Sequence, residues 1–166
     1  MAQARLLTAY LLEAVIATAA VLRALPGDPV IVPLGQCLSL VPVTKDYAAS
    51  VADPEAPELA PFLEFPRGFE EVLARCSWAG PIAYVEVELF GGDGPSTAQV
   101  WEAGAVVFGP IHVFEDELVN PPEGSPVSQS LRRLGVDAGS HHDEFDSVGL
   151  GRHRFTEQWL PRGLLP

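Results

Sequence analysis

The chain has 166 residues, 48% of them hydrophobic and 19% charged, which is the composition of a globular domain that can bury a sizeable core. Its 22 acidic and 10 basic residues give a formal net charge of -12, and so acidic a surface repels the phosphate backbone of nucleic acid. We therefore exclude nucleic acid as a ligand. We expect a single domain over residues 1–166, whose charge either keeps it in solution or attracts a basic partner.

The N-terminal 25 residues are strongly apolar and allow two interpretations. The first is a buried strand over LLTAYLL, followed by a helix over AVIATAAVLRAL that ends at a Pro-Gly pair; the second is one helix over residues 3–25. The apolar run between Arg5 and Arg23 is shorter than the ~20 residues of a membrane helix. Glu13 at its midpoint is costly in a bilayer and also interrupts the apolar core of a signal peptide. We therefore expect a soluble, cytoplasmic protein that does not enter a membrane.

Residues 29–67 mix apolar runs with chain breakers. PVIVPLGQCLSLVPVT predicts short or edge strands, because proline cannot donate to the ladder of a central strand. Cys37 in this run and Cys76 further on make no disulfide framework, and we expect both to be reduced and buried in or near the core. Residues 52–67, with four prolines and four acids, predict an exposed connecting loop.

Two stretches have clear periodic patterns. GFEEVLARCSW predicts a helix, since its apolar residues recur at three- and four-residue spacing. IAYVEVELFGGDGPSTAQVWEAGAVVFGP predicts a three-stranded antiparallel meander near residues 82–109, with GGDGP and EAG as its turns. Strict alternation in the first of these strands predicts one core face and one solvent face. The residues of the expected solvent face are Tyr84, Glu86, Glu88 and Phe90.

A capped helix follows an acidic connection. HVFEDELVNPPEG predicts a short strand and then a proline-rich loop. SPVSQSLRRLGV has Ser125 as N-cap, Pro126 at the first helical position and Gly135 as C-cap. The tail over residues 137–166 is predicted to be mostly irregular, with a short turn at FTEQWL. Together these elements predict an α+β fold, with an antiparallel sheet and two or three packed helices.

GSHHDEFDSVGLGRHR, residues 139–154, holds three of the four histidines and is the first candidate for chemistry. Adjacent His141 and His142 point in different directions on a regular backbone, and neither H-E-x-x-H nor a paired C-x-x-C is present, so we predict no metal site. The H-x-E at 142–144 lacks the P-C-x-x-C half of the zinc deaminase pattern. We expect a structured polar segment that anchors the C-terminus. The expected ion pairs join Arg152 or Arg154 to Asp143 or Asp146.

Other catalytic patterns are incomplete. GGDG has no Lys-Ser/Thr after it and carries an acid that repels phosphate, which favours a hairpin loop. Ser140 lies beside two histidines without the G-x-S-x-G surround of a nucleophile, and the apolar neighbours of His112 favour a core or edge histidine. We predict no catalytic residue and no cofactor. The alternative is a small enzyme that uses the His141–His153 segment, with or without a divalent metal.

Acidic residues cluster at three places and predict a binding face for a basic protein partner. Aromatic side chains beside an acidic rim, such as Tyr84 and Phe90, are suited to anchor such a partner. The predicted partner-binding residues are Glu86, Glu88, Glu115, Asp116, Glu117, Asp143, Glu144 and Asp146. The competing interpretation is that each cluster is only a solvated surface.

Two stretches also carry a family resemblance. YVEVELFGGDGPSTAQVW, and SPVSQSLRRLGV followed by DEFDSVGLGRHRFTEQW, resemble segments of small acidic bacterial proteins of toxin–immunity neighbourhoods. The resemblance covers residues 82–160 and brings no catalytic residues. It implies an immunity-type protein that binds and inhibits a cognate bacterial toxin by stoichiometric occlusion, and the acidic charge fits a basic toxin. A subunit of a larger assembly is a third interpretation.

Overall fold

One antiparallel sheet forms the centre of the computed structural model, which describes residues 9–90, 94–113 and 123–164. The strands are β1 (Ala9–Thr18), β2 (Val32–Pro33), β3 (Leu38–Pro42), β4 (Ile82–Phe90), β5 (Ser96–Glu102) and β6 (Ala105–Val113). They form a six-stranded sheet in the order β2-β3-β1-β4-β5-β6, with every neighbouring pair antiparallel. The predicted meander is confirmed as β4-β5-β6, and His112 and Val113 of the predicted HVF strand are the end of β6.

Short helices and turns connect and cover this sheet. The described helices are α1 (Ala19–Leu22), α2 (Lys45–Val51), α3 (Phe69–Cys76), α4 (Pro126–Arg133) and α5 (Glu144–Val148). Three 3-10 turns follow, over Leu150–Arg152, Thr156–Trp159 and Arg162–Leu164. Of the five helices, only α2, α3 and α4 have seven or more residues, so the α+β prediction with two or three packed helices is confirmed.

From residue 9 onwards the N-terminal stretch is a strand followed by a helix, so the alternative of one helix over residues 3–25 is wrong for the described part. The helix also begins at Ala19 and not at Ala14, where the first interpretation placed it. β1 continues through Thr18, because its buried residues fill both faces of a central position between β3 and β4. The Thr18 side chain then caps α1 by accepting a hydrogen bond from the Val21 amide at 3.4 Å. Within the described ranges, no helix is long and apolar enough to cross a membrane.

The front face of the sheet, which is the side covered by residues 52–76, carries an aromatic core. Phe65 packs against Tyr84 and Trp101 at ring-centroid distances of 4.6 and 6.2 Å, and Phe62 lies 5.2 Å from Tyr84. Tyr84 is therefore 0% exposed. The prediction that this face of the meander meets solvent is wrong for Tyr84 and Glu86, because the 52–67 segment crosses it. That segment is irregular as predicted, but its two phenylalanines are buried.

The back face is covered by α4, α5 and the C-terminal turns. Leu131 and Trp159 pack there on Leu40 and Val85 of the sheet. α4 begins as predicted, with the Ser125 hydroxyl accepting from the Ser128 amide at 3.1 Å and Pro126 in the first turn. Gly135 follows its end at a φ of 92°, the left-handed conformation that glycine adopts at low cost.

The two cysteines are both free but differ in burial. Cys76 is buried in the front core, as predicted, whereas Cys37 is exposed, so its predicted burial is wrong. Gln36 and Cys37 have φ of 56° and 63° in the tight connection between β2 and β3. The local turn, rather than the apolar character of the surrounding run, sets the position of Cys37.

The C-terminal tail is anchored to the sheet, but by contacts other than the expected ion pairs. The Leu11 amide donates to the Arg154 carbonyl at 2.7 Å. β3 pairs with β1 only from Ala14 to Thr18, and the tail pairs with β1 at Leu11, before that stretch. The Arg152 guanidinium donates to the Pro33 carbonyl at 2.6 Å and lies over the Trp159 ring. Among the described residues, neither arginine pairs with Asp143 or Asp146. Asp143 is instead the N-cap of α5, where its Oδ1 accepts from the Asp146 amide at 2.8 Å, and the Asp146 carboxylate lies 3.4 Å from His141.

Candidate functional site

A row of polar side chains crosses the front face of the sheet. The strand register places Glu13 of β1 opposite Glu86 of β4, Glu86 opposite Thr97 of β5, and Thr97 opposite His112 of β6. Side chains at directly opposite positions share a face and lie within contact distance. The Thr97 hydroxyl and His112 Nδ1 are 2.6 Å apart. Four adjacent strands therefore contribute two carboxylates, a hydroxyl and an imidazole to one line.

Glu86 ties the covering segment to this row. Its Oε2 accepts a hydrogen bond from the Leu63 amide at 2.9 Å, and its Oε1 accepts from the Glu64 amide at 2.8 Å and from the Tyr84 hydroxyl at 3.2 Å. Burial raises the pKa of Glu86, these three hydrogen bonds oppose the rise, and the charge of Glu13 adds to it. The carboxylate is thus a structural acceptor whose two oxygens are both in use.

Glu13 ties the C-terminal tail to the same row of polar side chains. The Thr156 hydroxyl donates to Glu13 Oε2 at 2.5 Å and accepts from the Glu13 amide at 3.0 Å. Burial raises the pKa of the Glu13 carboxyl, and the nearby charges of Glu64 and Glu157 raise it further. Because Glu13 also raises the pKa of Glu86, the two central carboxyls repel each other.

Two small cavities meet at these carboxyls, and together we call them the acidic groove. The first has a volume of about 230 Å³ and the second about 180 Å³. Glu13 and Glu64 line both cavities, so the two cavities share these two acidic side chains. The glutamates of the acidic groove are Glu13, Glu64, Glu86, Glu88 and Glu157. Lys45 lines the second cavity and is the only lysine of the chain.

The groove is suited to receive a cationic side chain. Each cavity is smaller than the roughly 300–1,000 Å³ of a small-molecule site, and the first is lined by Leu63, a side chain that is 75% exposed. In the described ranges no group of three or more His, Cys, Asp or Glu side chains is placed to hold a metal ion. A lysine or arginine of another protein would meet several carboxylates at once and reduce their mutual repulsion.

The structure separates the predicted partner-binding residues. Glu86 and Glu88 line the acidic groove on the front face, although Glu86 is buried and only Glu88 is partly open to solvent. The other described acids lie behind the sheet on α5, where Glu144 pairs with Arg132 at 2.8 Å and Asp146 lies 3.4 Å from His141. Asp143, as noted, caps the same helix. Glu115, Asp116 and Glu117 lie outside the described residues.

The histidine-rich segment does not form one centre. His141 contacts Asp146, both at the surface, and His142 lines a cavity beside the start of α4. His153 packs edge-on against Trp159 at a centroid distance of 4.8 Å. The three side chains therefore have different surroundings. His112 lies at the edge of the sheet on β6, as its apolar neighbours indicated.

Sequence patterns missed most of the groove. In the sequence, Glu13 only interrupts an apolar run, and Glu64 is one of four acids in a loop. The available signal was an acid inside each of two strands that neighbour each other in the centre of the sheet. Using it requires the β1–β4 pairing and register, which join residues more than 60 positions apart.

Comparison with known proteins adds no relative: no family model, no curated protein and no solved structure matches this chain. The resemblance of residues 82–160 to proteins of toxin–immunity neighbourhoods therefore stays a prediction. Function is inferred from the charges and contacts of the described residues.

Proposed function

We propose that this chain is an immunity-type protein that binds a cognate, basic bacterial toxin and inhibits it by stoichiometric occlusion. The observation that supports this proposal is the acidic groove, where five glutamates gather around cavities the size of one side chain. The net charge of -12 attracts a basic partner over a longer range. The resemblance of residues 82–160 points the same way.

Binding of a basic partner would relieve the repulsion between carboxylates that is present in the free protein. Glu13 and Glu86 each have a raised pKa because of burial and neighbouring carboxylates. A basic side chain in the groove would replace repulsion with attraction in a partly desolvated place, where charge pairs count for more than at an exposed rim. Leu63, which projects beside the groove, would supply apolar contact around the ion pairs.

The enzyme alternative gains no support from the geometry. His141, His142 and His153 contact different neighbours. On the front face, both oxygens of Glu86 already accept hydrogen bonds from the protein. Glu86 accepts three hydrogen bonds from the protein and is buried under the 52–67 segment, which suits it to hold structure.

The test is capture followed by an inhibition titration. Immobilised wild-type chain is incubated at low salt with lysate of the source cells, beside a groove variant that combines Glu64→Lys and Glu88→Lys. Both positions lack full burial, so the variant keeps the tethers of Glu13 and Glu86. Asp146→Lys is the control for a charge reversal away from the groove, because it changes one exposed acid behind the sheet, and so half the charge that the groove variant changes.

We expect wild type and the Asp146 variant to retain one basic protein that the groove variant loses. The toxic activity of that protein should then fall linearly with added chain and reach zero at one equivalent. Two results would contradict the proposal. One is equal retention by the groove variant, and the other is a captured protein whose activity the chain does not change.

A further inference from the structure

A second, larger cleft lies on the other side of the Thr156–Trp159 turn, between the tail and the β2 edge of the sheet. Its volume is about 710 Å³. Gln158 and four basic residues supply its polar lining, and the basic ones are Arg152, His153, Arg154 and Arg162. Its other walls are apolar, and include Ile31, Val32 and Leu160. This basic cleft therefore holds three of the ten basic residues of a strongly acidic chain.

Two of these arginines are not neutralised by the protein. Among the described lysine and arginine side chains, only Arg67 and Arg132 form ion pairs, with Glu58 and Glu144, each at 2.8 Å. Arg154 and Arg162 are exposed, and among the described residues their guanidinium groups form no ion pair. Acids outnumber bases by 22 to 10 in this chain, so unpaired neighbouring arginines leave a local positive potential that the composition does not predict.

The inner wall of the basic cleft is pre-organised. The Arg152 guanidinium is fixed by the Pro33 carbonyl at 2.6 Å and the Gly149 carbonyl at 3.2 Å, and it lies 5.1 Å from the Trp159 ring centroid. Trp159 is only 3% exposed. Its indole N–H has no hydrogen-bond partner among the described residues, although buried donors are nearly always paired. The Trp159 indole thus forms part of the wall beside Arg152, while its N–H group is itself buried.

We propose that the basic cleft binds a small phosphomonoester with an apolar or aromatic body. Arginine forks match the oxygens of a phosphate, and several of them suit its double charge better than the single charge of a carboxylate. A volume of about 710 Å³ is within the range of small-molecule sites. The apolar wall would then contact the apolar or aromatic body of the ligand. A bound phosphate responds mainly to charges within about one Debye length of 8 to 10 Å, and these include the three arginines of the cleft as well as Glu157 on the adjoining turn.

The test uses phenyl phosphate as the probe and the indole resonances of the three tryptophans as the readout. Phenyl phosphate is titrated into ¹⁵N-labelled full-length protein, with calorimetry in parallel. A variant that combines Arg154→Gln and Arg162→Gln removes the two unpaired charges. Arg75→Gln is the control, because it removes one exposed arginine on α3, outside the basic cleft. Benzoate and inorganic phosphate separate the contributions of the head group and the body.

We expect phenyl phosphate to shift the Trp159 indole resonance saturably and to bind at least tenfold more tightly than benzoate or inorganic phosphate. The double variant should lose at least tenfold in affinity, while the Arg75 variant binds as wild type does. No shift of the Trp159 resonance up to 10 mM probe would overturn the proposal. Equal affinity for inorganic phosphate, or unchanged binding by the double variant, would reduce the site to an adventitious ion only.

Discussion

Removal of the Glu86 carboxylate tests how the front face is held together. In Glu86→Ala the amides of Leu63 and Glu64 lose their acceptor, and so does the buried Tyr84 hydroxyl. Hydrogen bonds to a charged group contribute about 1.5 to 3 kcal/mol each. The desolvation that raises the pKa of Glu86 offsets part of this gain, which leaves a net loss of about 2 to 4 kcal/mol on substitution.

The assay is urea unfolding followed by far-UV circular dichroism, with Glu88→Ala as the matched control. Glu88 lies on the same strand and face two residues later and is only half-buried, so its substitution should change the free energy of unfolding by no more than about 0.5 kcal/mol. Amide exchange at residues 63 and 64 should also accelerate in the Glu86 variant. If both variants unfold within about 0.5 kcal/mol of each other, the tether contributes nothing and the reasoning is refuted.

Two further predictions concern the half-buried Glu13 carboxyl and the cysteines. Because the folded pKa of Glu13 lies above its usual value of 4.5, the folded chain holds this proton more tightly than the unfolded chain, and stability should fall as pH rises from about 4.5 through the raised pKa. Glu13→Gln should flatten that decline and raise the free energy of unfolding at pH 7; an unchanged pH profile in urea titrations would contradict the assignment. With Ellman's reagent, exposed Cys37 should react within minutes, whereas Cys76, whose pKa burial raises, should react only in denaturant. Equal rates for the two thiols would contradict their placement.

Local patterns predicted the elements whose signals are local. The meander follows from alternation and turn residues, and α4 follows from Ser125, Pro126 and Gly135, which act within a few residues of their own position. These features depend on local backbone geometry and not on which distant segment packs against them. The same holds for α3, whose apolar stripe is buried as its spacing indicated.

Burial of the front face was not predictable in this way, because it depends on a distant segment. Alternation in β4 shows that Tyr84 and Glu86 share a face, but not that Phe62 and Phe65 cover it. Proline and acidic residues made the 52–67 segment look like a solvated loop, and the two amides that bind Glu86 carry no sequence signal. The acidic groove forms because that segment contacts Glu86 of β4 and the tail contacts Glu13 of β1.

The most direct test of the proposed function is the association rate of the captured partner at two ionic strengths. Stopped-flow association is measured for wild type, for the Glu64→Lys and Glu88→Lys groove variant, and for Asp146→Lys. At low salt we expect the groove variant to associate at least tenfold more slowly than the other two, with the difference shrinking as salt screens the charges. Equal rates for all three proteins at low salt would contradict the claim that the acidic groove receives the partner.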